Sequence, residues 1–500
     1  MLDPRQDVRT IVANSRPASL SAKPHAPLSV LFVYPNITGQ HSIQLGLASL
    51  IAVTRQQGHQ CQLFDTTFLP PNSAGHELRQ TVTRVRPDLL AVSCRSYEWG
   101  FVESLLAALG SQRPLTIVGG PHATCATKEV IRSSVVDMAA IGEGESTLTE
   151  LLSHLASGSG VEGISGLWTK TGGQIHRTPP GMLVGRLDTL PAPDWELFDS
   201  RHLDVNYFVK GKMLPMRLGF FETGRGCPSS CPYCINEHLH TLYRDVDKYE
   251  RRKPVQSLIE EISEKVHRYK LQYVFLIDDW LALRSKRVQR FFDAYRDQIK
   301  LPFTFLTRPE EITEKATANA VSAGAAMVGI GIECGDEQLR RGLLRRRMSN
   351  KTIINAFTIC RHLGLSTHSY NMIGLPFETR SSIQATISLN QKASPDFVGV
   401  SIFYPFPGTS LRALCEERGL LRAESDVVRK TFHSATAIKG PLGAGRLARL
   451  RVLIPHMVFC RSRLGRAWLS TCERSTLAFR VFSSLEQRKQ GHLSMYGNGG

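Results

Sequence analysis

Nowhere in these 500 residues does an apolar run reach the roughly 18 positions that cross a bilayer. The N-terminus, MLDPRQDVRTIVANS, also lacks the charged-then-apolar layout of a secretory signal. Together these absences predict a cytoplasmic, reducing setting, where clustered thiols mean metal or catalysis more often than disulfides. Acidic residues are scarce too: 44 Asp and Glu stand against 61 Lys and Arg, a net charge of +17. The excess collects in residues 441–500, with ten Lys and Arg and two Asp and Glu. Such a tail suits nucleic acid, anionic lipid, an acidic substrate or simply a solvated helical face. No clear nucleic-acid motif accompanies it, so charge leaves the function open. The first predicted strand runs into YPNITGQHSIQLG without a G-x-G-x-x-G, which argues against a nicotinamide enzyme.

What is present falls into two series of strands and helices, enough chain for two to four domains. Residues 1–27 are rich in Pro, Ser and Ala and read as a flexible tail. LSVLFVYP (28–35), CQLFDTT (61–67), DLLAVSC (88–94), LTIVGG (115–120) and DMAAIG (137–142) are short apolar runs separated by amphipathic helical segments. Five such alternations predict a doubly wound, Rossmann-like parallel sheet over 28–155. Residues 156–212 read as a linker carrying a hairpin closed by Gly172-Gly173. Six further strands follow: RLGFFETG (217–224), LQYVFLIDD (271–279), LPFTFLT (301–307), AAMVGIGIE (325–333), LSTHSYNMIGLP (365–376) and PDFVGVSIFYP (395–405). Six β/α units over 213–425 predict a partial barrel with its reacting groups at the C-terminal strand ends. Residues 426–500 read as a basic, helical region.

Directly after the first barrel strand stands GCPSSCPYC (226–234), with three of the chain's eleven cysteines. Thiolates suit zinc or iron–sulfur. Structural zinc wants four ligands, usually as two pairs, and the next cysteine is Cys334; His238 and His240 could complete a Cys₃His site. A 4Fe–4S cluster takes four cysteines, so three would leave one iron open to a ligand. Pro228 and Pro232 keep the segment out of helix, so that a loop can wrap a cluster.

Cys227-x₃-Cys231-x₂-Cys234, with Tyr233 before the last cysteine, resembles the signature of the radical S-adenosylmethionine superfamily. The resemblance implies a 4Fe–4S cluster held by these three cysteines. Its open iron chelates S-adenosylmethionine, which is cleaved reductively to a 5′-deoxyadenosyl radical that takes hydrogen from a substrate. An external electron donor such as flavodoxin or ferredoxin is implied as well. Tyr233, Asp278, Asp279, Glu333, Arg347 and Gly374 match positions that contact S-adenosylmethionine in the family. Asp278 and Asp279 read equally well as a helix cap and first-turn charge. Arg345-Arg346-Arg347 has the composition of a solvated helix face, and Cys334, where the family often has serine, reads as a buried structural cysteine.

In the front domain, Gly119-Gly120-Pro121-His122-Ala123-Thr124 and Gly142-Glu143-Gly144-Glu145 end the fourth and fifth strands. They are similar to the cobalamin-binding domain fused to many radical S-adenosylmethionine enzymes, and the resemblance implies that these residues bind cobalamin. Tight strand–helix turns would use the same glycines. No Asp-x-His-x-x-Gly string is present, and His41 and His122 lie outside that context, so cobalamin without a histidine lower ligand is expected. The expected chain is α/β: a Rossmann-like cobalamin-binding domain, a partial (β/α)₆ radical barrel and a small helical C-terminal region. The implied activity is methylation of an unactivated carbon of a small molecule. The rivals are a radical cyclase, dehydratase or rearrangement enzyme with a merely structural front domain, and a non-catalytic cobalamin or iron–sulfur sensor. A methylthiotransferase acting on RNA would need an additional N-terminal cysteine cluster, which the chain lacks.

Overall fold

The computed structural model describes residues 26–70, 72–209, 212–246, 248–422 and 436–489. Most of the expected N-terminal tail and residues 490–500 lie outside the described residues.

Strands β1 (Ser29–Tyr34), β2 (Gln60–Asp65), β3 (Leu89–Ser93), β4 (Leu115–Gly119) and β5 (Met138–Ala140) form a parallel sheet in the order β2-β1-β3-β4-β5. Five of the six β1 residues are buried, as a central strand covered on both faces requires. The sheet does not stop at residue 155. Strands β6 (Leu167–Thr171) and β7 (Gln174–His176) add to it antiparallel, joined through Gly172 and Gly173 at φ of 58° and 80°. The hairpin read as part of a linker covers the exposed edge of the three-residue β5.

A second sheet pairs β8 (Asp204–Val209) antiparallel with β9 (Lys212–Phe221). A two-residue ladder of β10 (Gly224–Arg225) and β11 (Arg251–Arg252) closes the base of the cysteine-bearing loop. Parallel to β9 run β12 (Tyr273–Leu276), β13 (Phe303–Thr307), β14 (Ala325–Glu333), β15 (Ser366–Ile373) and β16 (Phe397–Ile402). The order β16-β15-β14-β13-β12-β9-β8 gives six parallel strands whose C-terminal ends share one rim. The C-terminal helix Ala444–Phe459 buries Leu447, Leu450 and Ile454 against Ile373 and Ile402, covering the β15–β16 end.

The residues between the sheets fasten them together. Trp195 is buried against Phe221 at 5.3 Å and Tyr269 at 5.4 Å. Arg55 of the first domain reaches Asp194 at 2.6 Å and Glu196 at 2.8 Å. One apolar core runs through both sheets.

Candidate active site

The cysteines sit on a loop held at both ends. The Arg252 guanidinium donates to the carbonyls of Arg225 at 2.9 Å and Gly226 at 3.2 Å, and His240 Nε2 meets the Cys227 carbonyl at 2.5 Å. No disulfide forms: Cys227 and Cys231 are buried and Cys234 partly so. Burial pushes the Cys234 thiol up to about 11, although the Asn236 amide donates to its Sγ at 3.4 Å. Among the described residues no three His, Cys, Asp or Glu side chains converge on a single ion. His240 is thus committed to a carbonyl, while His238 Nε2 is buried without a hydrogen-bond partner among the described residues.

Beside this loop, β14 ends in a bulge that turns Glu333 to φ +66°. Glu333 lies 3.3 Å from Arg346, which also donates to the Gly331 carbonyl at 2.9 Å. The Tyr233 hydroxyl lies beside both Arg346 and Glu333. Burial raises the Glu333 carboxyl, and the Arg346 charge opposes that rise. Arg346 Nε, Arg308 Nε and Glu310 Oε2 are buried without a hydrogen-bond partner among the described residues. Arg308, just past β13, also donates to Ser229 in the cysteine loop.

Several sequence expectations change here. The arginine beside Glu333 is Arg346; Arg347 is exposed. Residues 345–347 form a loop that opens with Arg345 at φ +52°, not a helix face: Leu344, Arg346 and Met348 are buried, Arg345 and Arg347 exposed. Asp278 caps no helix. Its carboxylate accepts from Thr223 N–H at 3.1 Å and Thr223 Oγ1 at 2.9 Å, tying β12 to the end of β9. Burial raises it to about 6. Asp279, also raised by burial, lies beside Asn236, whose amide donates to the Cys234 sulfur. Gly374 N–H is taken by Glu378 at 2.5 Å, and a Cβ there would meet Leu447 at 3.1 Å, so this glycine serves a turn under the C-terminal helix. Cys334 is fully buried among Leu344, Met372 and Phe403.

On the first sheet, a cavity of 320 Å³ opens at the C-terminal strand ends, floored by Phe32, Leu47, Leu50 and Ile117. Gly119, Gly120, Pro121, Gly142, Glu143, Gly144 and Glu145 line it; His122, Ala123 and Thr124 do not. Ala123 is core, Thr124 Oγ1 accepts from Gly142 N–H at 2.9 Å, and His122 packs on Trp99 at 5.2 Å. Burial lowers His122 to about 4. His41 Nδ1 meets the Asp204 carbonyl at 2.9 Å, and no histidine lines this cavity. Two of the glycines answer to the protein itself. A Cβ on Gly120 (φ +89°) would lie 3.0 Å from the Cys94 nitrogen, and one on Gly142 (φ +79°) 1.8 Å from Tyr243 Oη.

The cavity and the cysteine loop are one assembly. Tyr243, one residue past the helix Ile235–Leu242 that follows Cys234, accepts a hydrogen bond from Glu143 N–H at 2.9 Å. Glu143 pairs with Arg251 and, at 3.1 Å, with Arg225; Arg225 reaches Glu145 at 2.8 Å and Glu222 at 3.0 Å. Glu143 and Glu145, expected against a cofactor, thus carry a buried ion-pair network between the domains.

The Radical SAM superfamily family model matches residues 221–389, and the B12 binding domain model matches residues 38–152. The chain belongs to the cobalamin-binding radical S-adenosylmethionine enzymes. The enzyme is 25% identical over 396 residues to an uncharacterized methyltransferase of Pyrococcus horikoshii, covering 77% of this chain and 82% of that one. Its fold matches the radical S-adenosylmethionine methyltransferase TsrM from Kitasatospora setae, solved with cobalamin and a 4Fe–4S cluster bound. There the TM-score is 0.62 at 19% identity, over 79% of this chain and 75% of that one. It also matches the cobalamin-dependent S-adenosylmethionine radical enzyme OxsB, TM-score 0.67 at 13% identity, over 95% of this chain and 77% of that one. The enzyme's cofactors are therefore a 4Fe–4S cluster, S-adenosylmethionine and cobalamin.

Sequence reasoning missed Arg346, Arg308 and Tyr243. Only Arg346 left a local signal, Leu344 and Met348 flanking it at spacing two.

Proposed function

We propose that this enzyme methylates an unactivated carbon of a small molecule, with Cys227, Cys231 and Cys234 holding the cluster. The reading is carried by the physical join between cysteine loop and glycine-lined cavity through Tyr243 and Glu143. When bound, the cluster supplies the electron that cleaves S-adenosylmethionine, and the corrinoid supplies the methyl group.

The chain's own residues fit these groups. Three unbridged thiols on one clamped loop suit a cluster that leaves one iron without a protein ligand. The partnerless Arg346 and Arg308 N–H groups and the Glu310 oxygen suit a ligand bearing both carboxylate and ammonium, as S-adenosylmethionine does. Glu333, held by Arg346, presents an acceptor at the same rim. The 320 Å³ cavity is too narrow for a corrin ring but suits the corrinoid's nucleotide arm, which its apolar floor would shield from water. The Glu143–Arg225–Arg251 network fixes the distance between the two cofactor surfaces, and positioning of this kind is the protein's part in radical chemistry. Electrons would come from a flavodoxin- or ferredoxin-like donor.

The test is anaerobic reconstitution with iron, sulfide and cobalamin, then metal analysis and absorption spectra. Stoichiometric cluster and corrin in the wild type, with the cluster lost in Cys227→Ala, is expected. A full cluster in Cys227→Ala overturns the ligand assignment. Product mass separates methylation, a gain of one CH₂, from ring closure or rearrangement.

A further inference from the structure

Below the rim, the barrel lumen holds a second cavity, of 260 Å³. Its walls are Phe220, Phe275, Tyr207, Met327 and Tyr370, and Gln40 and His41 of the first domain border it. Tyr370 pairs in register with Gly331, one step below the Glu333–Asn371 pair, so the cavity lies directly under the Glu333–Arg346 site. No lysine or arginine lines it. Its one carboxylate, Asp204, is already 3.0 Å from Arg217.

Asn206 and Thr304 add neutral polar groups to the lining, and His368 is its buried imidazole. His368 is 5% exposed, lines the cavity and stacks on Tyr370 at 4.4 Å and 26°. Gly399 makes room for it, since a Cβ there would lie 2.7 Å from Nε2. Burial lowers His368 to about 4, so the ring is neutral near pH 7 and brings no charge to the cavity.

We infer that the lumen binds an uncharged, ring-bearing, largely apolar ligand, with His368 as its buried hydrogen-bonding partner, and that this ligand is the substrate. An anion entering here would shed its hydration and find no cation, whereas a flat neutral ring gains aromatic contact and can hydrogen-bond the His368 imidazole. Calling the ligand the substrate rests on the methyltransferase reading; the binding preference does not.

The experiment is equilibrium dialysis of the reconstituted holoenzyme at pH 7 against three probes of one ring: 2-naphthol, 2-naphthoate and 2-naphthyl phosphate. The neutral naphthol binds at least about tenfold more tightly than either anion, and His368→Phe weakens it by about tenfold, the effect of one lost hydrogen bond of ~1.4 kcal/mol. Met327→Trp fills the lumen and abolishes naphthol binding at unchanged iron and corrin content. An anion bound as tightly as naphthol, no binding of any probe, or naphthol binding that survives Met327→Trp overturns the inference. None of the probes has to react. If the discrimination holds while no methylated product is ever formed, the methyltransferase reading fails and the pocket assignment stands.

A second surface carries an independent inference. The helices Arg463–Arg474 and Thr476–Lys489 expose Leu464 (86%), Trp468, Leu477 (73%), Val481 and Leu485, spaced four residues apart within each helix. Residues 459–489 hold seven Lys and Arg against two Asp and Glu, and one of those acids, Glu473, is buried against Arg446 at 3.0 Å. An apolar stripe rimmed by cations matches an anionic bilayer surface. A second copy of the chain would bring two basic faces together, which disfavours self-association. We propose that these helices dock the enzyme on anionic lipid. Co-sedimentation with phosphatidylglycerol–phosphatidylcholine vesicles pellets the holoenzyme, phosphatidylcholine alone does not, and Trp468→Asp with Leu477→Asp abolishes pelleting. Absence of pelleting, or a dimer that Leu477→Asp dissociates, overturns it.

Discussion

Replacing Gly142 with alanine tests whether the glycine-rich turn serves the join between domains. The backbone there has φ +79°, where a Cβ costs about 1–2 kcal/mol. That Cβ would also lie 1.8 Å from Tyr243 Oη and 2.8 Å from Cζ, so the ring must move and its 2.9 Å bond from Glu143 N–H is lost. A lost hydrogen bond adds about 1 kcal/mol and the displaced packing about as much again, roughly 3–4 kcal/mol in all. Tyr243→Phe alone costs about 1 kcal/mol through the same bond. In the double variant the worst overlap has gone, so the two losses fall short of additive by about 1–2 kcal/mol. Urea unfolding of the four proteins, followed by tryptophan fluorescence and by release of bound corrin, measures the cycle. Additive losses, or a Gly142→Ala protein that loses corrin without losing stability, refute the reasoning and return Gly142 to the cofactor.

Arg346→Ala leaves Glu333 without its buried cation and raises the KM for S-adenosylmethionine by about tenfold or more, while the exposed Arg347→Ala stays within about twofold; equal effects contradict the placement. Glu143→Gln strands Arg251, which is almost wholly buried, and lowers stability by about 3 kcal/mol; pairing it with Arg251→Met recovers much of the loss. Asp278 is protonated in folded and unfolded chains below about pH 4. Between about pH 4 and 6 only the unfolded chain ionises it, so the folded state loses about 3 kcal/mol by pH 7 relative to pH 4. Against Asp278→Asn, the wild-type unfolding midpoint therefore falls across that window, and parallel profiles would contradict the burial argument.

The parallel strands were legible because buried strands read as unbroken apolar runs: LSVLFVYP contains β1 and AAMVGIGIE is β14. β8 was not, because DVNYFV mixes polar and apolar residues in a short strand at a sheet edge, without an unbroken apolar run. The cysteine loop was legible because its chemistry is local. Arg346 and Arg308 were not, because Arg308 follows β13 and Arg346 lies in a loop beyond the helix after β14, and only the folded barrel brings each to the cysteine-loop rim. The Asp278–Asp279 pair looked like one feature, yet neighbouring strands divide it: Asp278 is spent on Thr223, while Asp279 remains beside the cysteine loop. Gly142 was seen as a ligand glycine because nothing in the sequence says that Tyr243, a hundred positions on, rests against it.

The central claim is that one chain brings S-adenosylmethionine cleavage and corrinoid methyl transfer to a single site. The direct measurement is mass spectrometry of an anaerobic reaction of the cluster- and cobalamin-loaded enzyme with S-adenosylmethionine and a strong reductant. The account predicts both 5′-deoxyadenosine and S-adenosylhomocysteine from the wild type, with 5′-deoxyadenosine abolished in Cys231→Ala. Neither product from fully loaded enzyme, or 5′-deoxyadenosine persisting in Cys231→Ala, would contradict it.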